Sequence, residues 1–124
     1  MDYLLVFAGG GIGAALRHGV NRAALAALGS SFPFGTLFVN VAGSFAMGVL
    51  AALFLAKGIG DQGLRLFLTT GILGGFTTFS AFSLDAILLW ERGAWTALAI
   101  YLAGSVTLSI AALAVGMVAV RSLG

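Results

Sequence analysis

Four apolar runs dominate the chain: roughly Tyr3–Leu28, Gly35–Ala56, Leu64–Trp90 and Trp95–Val120. Each reaches the ~20 residues that a helix needs to cross the hydrocarbon core of a bilayer. The segments between them are short: Gly29–Pro33, Lys57–Gly63 and Glu91–Gly93. No room is left for a second, water-soluble domain. The expectation is one all-α membrane domain of four transmembrane helices over 1–124. Composition agrees, with 60% hydrophobic and 8% charged residues, against about 25% charged in a soluble domain. The start Met-Asp lacks a basic leader, so the first run reads as a retained span. Trp90 and Trp95 bracket the last turn, as interfacial aromatics do.

Function classes fall away quickly. Cys is absent, which excludes disulfides and thiolate metal sites. His18 is the single histidine, so no histidine cluster can form within one chain. The net charge of +2 comes from basic residues scattered singly in an apolar chain, not from a nucleic-acid-binding patch. Gly9-Gly-Gly-Ile-Gly-Ala14 approximates a dinucleotide fingerprint, but the strand before it and the acid about 20 residues beyond it are missing. No nucleophile–histidine–acid grouping, carboxylate pair or phosphate loop is present. The expectation is a pore or carrier in a cell membrane, not an enzyme.

The third run contains the unusual stretch. Gly71-Ile-Leu-Gly-Gly-Phe-Thr-Thr-Phe-Ser-Ala-Phe-Ser83 places three glycines, four hydroxyls and three phenylalanines at membrane depth. Glycine lowers the cost of leaving helical geometry, so a break in mid-membrane is expected here. Freed peptide groups are tolerated at that depth only inside protein or along a cavity. Phe76, Phe79 and Phe82 recur every three residues and read as one helical face, with Ser80 and Ser83 beside it. In the second run Thr36, Asn40 and Ser44 share a face at four-residue spacing. In the fourth, Tyr101, Ser105 and Ser109 do the same. Arg17 and Asp85 are the deepest charges, and intramembrane ions mark functional sites by default. Arg17 either draws anions into a vestibule, reaches the interface beside Arg22, or pairs with Asp85. Glycines at four-residue spacing, Gly9/Gly13 and Gly71/Gly75, predict close helix packing.

Charge does not choose an orientation. Lys57, Arg65 and Arg121 fall on the N-terminal side, and Arg17, Arg22 and Arg92 on the other. Orientation follows the asymmetry of these residues, so insertion both ways up is expected. Two such copies could pair about an axis in the membrane plane as an antiparallel, dual-topology homodimer.

Three segments, Gly9-Gly-Gly-Ile-Gly-Ala-Ala-Leu-Arg17, Gly35-Thr-Leu-Phe-Val-Asn-Val-Ala-Gly-Ser44 and Gly74-Gly-Phe-Thr-Thr-Phe-Ser-Ala-Phe82, strongly resemble the Fluc (CrcB) fluoride channels. The resemblance covers the whole chain. It implies an antiparallel homodimer in a bacterial inner membrane, with two pores that export cytoplasmic fluoride and a structural Na⁺ at the dimer centre. By motif, it implies that Asn40 is the pore amide and that Phe79 and Phe82 line the pore. It also implies that Ser80, Ser83, Tyr101, Ser105 and Ser109 supply hydroxyls, and that Arg17 stands at the vestibule. The carbonyls of Gly74 and Thr77 become the Na⁺ ligands. Ala81 stands where the family commonly has Thr or Ser, so one hydroxyl is missing beside the phenylalanines. The alternatives are a small dual-topology exporter of cationic drugs, which would need Asp85 as its proton-exchanging carboxylate, and a structural subunit with no transport.

Overall fold

Helix is the form these apolar runs must take where water cannot satisfy the backbone, and all regular structure among the described residues is helical. The computed structural model describes residues 1–56, 58 and 60–123. Lys57, counted above among the charges of the N-terminal side, lies outside them. Helix α1 runs Asp2–Leu28 and stops at Gly29, whose φ of 79° suits glycine. Helix α2, Phe34–Ala51, begins just after Pro33 and winds on as a π-helical segment π1, Ala52–Ala56. The third apolar run is segmented into α3 (Gln62–Arg65), π2 (Leu66–Leu73), α4 (Gly74–Phe76) and α5 (Phe79–Glu91). Helix α6, Trp95–Arg121, completes the chain. Three segments, Phe34–Leu55, Gln62–Glu91 and Trp95–Arg121, are long and apolar enough to cross a membrane. Helix α1 is equally long, at 27 residues, but Arg17, His18, Asn21 and Arg22 make its second half polar.

The third run does break, between α4 and α5. Thr77 (φ −89°, ψ 159°) and Thr78 (φ −155°, ψ 122°) are both extended. These are angles that any residue adopts. The break therefore does not use glycine freedom, contrary to expectation, and Gly74 itself is helical (φ −61°, ψ −39°). The interruption also separates Phe76 from Phe79 and Phe82, so the three do not share one continuous helical face.

The glycines of this region serve packing instead. A Cβ on Gly9 would lie 2.6 Å from the Phe67 carbonyl oxygen and 2.9 Å from the Gly71 Cα. One on Gly13 would strike the Ile72 carbonyl, and one on Gly75 the Gly10 carbonyl. Helix α1 thus lies backbone to backbone along π2 and α4. Elsewhere, Gly48 faces the Leu113 carbonyl and Gly116 the Phe45 carbonyl, locking α2 against α6 in an extensive helix–helix interface. Loop contacts finish the frame: Arg92 donates to the carbonyls of Ser30 (3.4 Å) and Ser31 (2.6 Å), joining the α5–α6 turn to the α1–α2 turn. The Trp90 and Trp95 rings stand edge to face, 4.5 Å apart, at that end.

The buried core is small. Leu89, Leu98 and the fully buried Tyr101 form its centre, with Phe32 and Phe82 against them. Large apolar side chains point outward instead; Phe7 is 80% and Leu55 76% exposed. An exterior this apolar suits lipid or another protein surface and not water.

Close backbone contact makes a sharp prediction. Gly48→Ala forces a methyl group into the fixed Leu113 carbonyl and should cost about 1–3 kcal/mol. Gly19→Ala, at a position with nothing within 4 Å, should be neutral or slightly stabilising. Thermal unfolding of the two variants in one detergent compares them directly; equal losses would mean that the α2–α6 contact is looser than described.

Candidate functional site: a polar groove at the helix break

A break in a membrane helix leaves peptide groups that need partners, and the first of these partners is Asn40. Its amide nitrogen donates to the Thr78 carbonyl at 3.0 Å, and its amide oxygen accepts from the Thr78 N–H at 2.7 Å. Both backbone groups of the extended residue are thereby paired with one side chain from α2. The amide nitrogen keeps a second N–H. Thr78 then starts α5: its hydroxyl oxygen accepts from the Ala81 N–H at 3.1 Å, an N-cap in the ordinary sense. Thr77 turns back, with both its N–H and its hydroxyl donating to the Leu73 carbonyl at 3.0 and 2.9 Å. Its methyl group leans on Gly43, where any Cβ would collide with it.

Three carbonyls are left over by this arrangement: Phe76, whose ordinary donor, the Ser80 N–H, lies across the break and makes no backbone bond to it, and two that belong to groove-lining residues, Gly74 and Thr77. Gly74 would ordinarily accept from the N–H of Thr78, which is committed to Asn40. Thr77 would accept from the N–H of Ala81, which is committed to the Thr78 hydroxyl. The Gly75 carbonyl is treated differently, taking the Nε–H of Arg17 at 3.0 Å. Arg17 therefore does not pair with Asp85. The Asp85 carboxylate instead accepts from the Tyr101 hydroxyl at 2.9 Å.

Around the break lies a groove of about 420 Å³. Asn40, Ser44, Thr77, Thr78, Phe79, Phe82, Ser105 and Ser109 are among the residues lining it. Contributions from α2, the break, α5 and α6 thus meet in one space. Phe79 and Phe82 stack at 5.5 Å, and Phe82 meets the Tyr101 ring at 5.1 Å. Phe79 is 78% exposed, so the groove is open on its side. Ser105 is buried, and its hydroxyl has no partner. Such an orphan is costly unless something else uses it.

Of the residues expected at the site, Asn40, Phe79, Phe82, Ser105 and Ser109 line the groove together, along with Gly74 and Thr77. Tyr101 sits behind Phe82, not on the lining. Ser80 and Ser83 are exposed and outside it; Ser80 approaches the Thr78 hydroxyl at 3.3 Å, and Ser83 donates to the Phe79 carbonyl of its own helix. Arg17, on α1, is not among the lining residues and reaches the break at Gly75. Two polar lining residues, Ser44 and Thr78, were noted in the sequence but not expected at the pore. Ser44 carried a signal in its spacing from Asn40, whereas nothing local marks Thr78 as the residue that Asn40 captures. A group of three or more histidine or acidic side chains able to hold a metal is absent among the described residues.

Comparison with known proteins places the chain. Residues 4–117 match the family model described as CrcB-like protein, Camphor Resistance (CrcB). A Rhodopseudomonas palustris protein named fluoride-specific ion channel FluC is 55% identical over 123 residues, spanning 99% of both chains. One of the same name from Methylobacterium nodulans is 56% identical over 124 residues, covering 100% of this chain and 99% of its own. A Nitrobacter hamburgensis protein named fluoride-specific ion channel FluC 2 is 52% identical over 123 residues, again 99% of each. With its long apolar helices and its apolar exterior, this is a multi-pass membrane protein, and it belongs to the CrcB family.

Proposed function

We propose that this chain is a fluoride-selective channel whose pores run along the groove at the helix break. Four helices span the membrane, and two copies pair in opposite orientations. The observation that carries this reading is the buried, unpartnered Ser105 hydroxyl facing the same groove as the Asn40 amide. Fluoride is small and strongly hydrated, so a pore must replace its water with donors. The second Asn40 N–H, the Ser105 and Ser109 hydroxyls and the Thr78 hydroxyl proton can all be given to an anion. The edges of Phe79 and Phe82 carry the positive end of the ring quadrupole, so they suit an anion better than their faces do. The names of the relatives support the same substrate.

The openness of the groove at Phe79 supports a second copy as its missing wall. The expected balance of Lys and Arg on the two sides of the membrane supports an inverted one. A Na⁺ ion fits the two groove-lining carbonyls deprived of helical donors, Gly74 and Thr77. Hard oxygen ligands suit such a cation, and a pair from each copy would surround it. When bound, the cation would hold the two breaks together and lower the cost of bringing anions nearby. The drug-exporter alternative draws less support, because its required carboxylate, Asp85, is engaged by Tyr101.

Three substitutions test the pore assignment. Ser105→Ala removes a buried unsatisfied hydroxyl, so stability should be unchanged or rise by up to ~1 kcal/mol, while fluoride efflux from proteoliposomes should fall. Unchanged efflux would make the serine a packing residue and withdraw the pore from this groove. Asn40→Asp sets an oxygen against the Thr78 carbonyl and removes both amide donors; efflux should drop on the order of tenfold or more, as expected for losing ~1.4 kcal/mol of interaction per decade. Phe82→Ile should reduce efflux as well, with that variant still dimeric.

Tags on either terminus should be reached from both faces of the membrane in one preparation; labelling from a single face would eliminate the antiparallel pair. Replacing Na⁺ with a large organic cation should abolish efflux or dissociate the dimer. Full efflux with no cation bound would remove the structural Na⁺.

A further inference from the structure

We propose that Arg17 is a positioning residue for the helix break: its Nε–H holds the Gly75 carbonyl and so determines which carbonyls remain for the central cation. This inference rests on the channel reading above and concerns a contact that charge alone does not explain. A guanidinium at membrane depth must find acceptors. Its half-buried side chain donates to Gly75, while Asp85 on α5 is already engaged by Tyr101.

The contact is prepared by packing. Gly10 and Gly13 are in backbone contact with Gly75, Ile72 and Phe76, and they lie seven and four residues before Arg17. At helical spacing all three occupy one face of α1. The glycines bring α1 within reach of α4, and Arg17 extends that contact with a side-chain hydrogen bond to Gly75 within α4. Continuous helix would have supplied the Phe79 N–H to the Gly75 carbonyl, but the break carries Phe79 into α5. Arg17 substitutes for the missing donor. The consequence is a division among neighbouring carbonyls: Gly75 is occupied by α1, whereas Gly74 and Thr77 are left free. Asn40 pins the far side of the break from α2, so the two extended residues are clamped from both neighbouring helices.

Attraction of anions by Arg17 would survive replacement by lysine, because the charge persists. Positioning would not survive, since an ammonium on a flexible stem lacks the fixed fork of guanidinium donors. The experiment is hydrogen–deuterium exchange of the purified dimer in Na⁺, read on peptides covering 71–83 and, as a control, on α6. Arg17→Lys and Arg17→Gln are compared with wild type. Both variants should exchange faster across the break by about tenfold or more, with α6 unchanged, and both should need correspondingly more Na⁺ to reach the same melting temperature. A lysine variant that assembles only at elevated Na⁺ gives the same answer. Wild-type exchange in the lysine variant would overturn the proposal and leave Arg17 as an attracting charge. A wild-type melting temperature that ignores Na⁺ sinks the cation reading instead, and the exchange at 71–83 then still decides the role of Arg17.

Discussion

The structure turns on one side chain pairing with one peptide unit. Asn40 presents an amide to both backbone groups of Thr78, much as a neighbouring strand would. Without it, an extended residue in the middle of an apolar helix would hold an unpaired N–H and an unpaired carbonyl, each costing several kcal/mol in hydrocarbon. With it, the break is a stable element of the fold. The remaining peptide groups follow in order: the Thr78 hydroxyl takes the Ala81 N–H, Arg17 takes the Gly75 carbonyl, and Leu73 receives Thr77 twice. What is left over is not random. Two carbonyls and several hydroxyl protons end up around a single groove, which is the chemistry that an ion pathway needs.

Close packing makes these reaches possible. Asparagine and threonine are short, so α2 must lie near the break for Asn40 to touch Thr78. Gly43 allows this by admitting the Thr77 methyl group, and Gly10 and Gly13 bring in α1 from the opposite side. In a bilayer such contacts are the main source of cohesion, because lipid offers no hydrophobic penalty for keeping helices apart. The glycine-rich composition and the polar break are therefore parts of one arrangement: small residues allow approach, and approach satisfies the break.

Several features were legible in the residues alone. Long apolar runs and scarce charge required membrane helices. The four-residue spacing of Asn40 with Ser44, and of Ser105 with Ser109, put each pair on one helical face, and both pairs do line the groove. Other readings failed for a reason that can be named. Phe76 looked continuous with Phe79 and Phe82 only so long as the helix was treated as unbroken. The glycines looked like the hinge, because local propensity was the only information about hinges available; the actual hinge is two threonines, of which Thr78 is held by Asn40, 38 positions earlier in the chain. Where Ser80 and Ser83 lie, exposed on α5 and outside the groove, depends on how α5 packs and not on their spacing.

The residue order by itself determined that the chain would be helical, buried in lipid, and interrupted somewhere within Gly71–Ser83, because each of these follows from local hydropathy and composition. Tertiary structure alone decided what the interruption does. Which amide captures Thr78, which carbonyl Arg17 takes and which hydroxyl is left unpaired depend on how three helices approach one another. Hydrogen bonds act over about 3 Å, a distance set by folding and not by spacing along the chain.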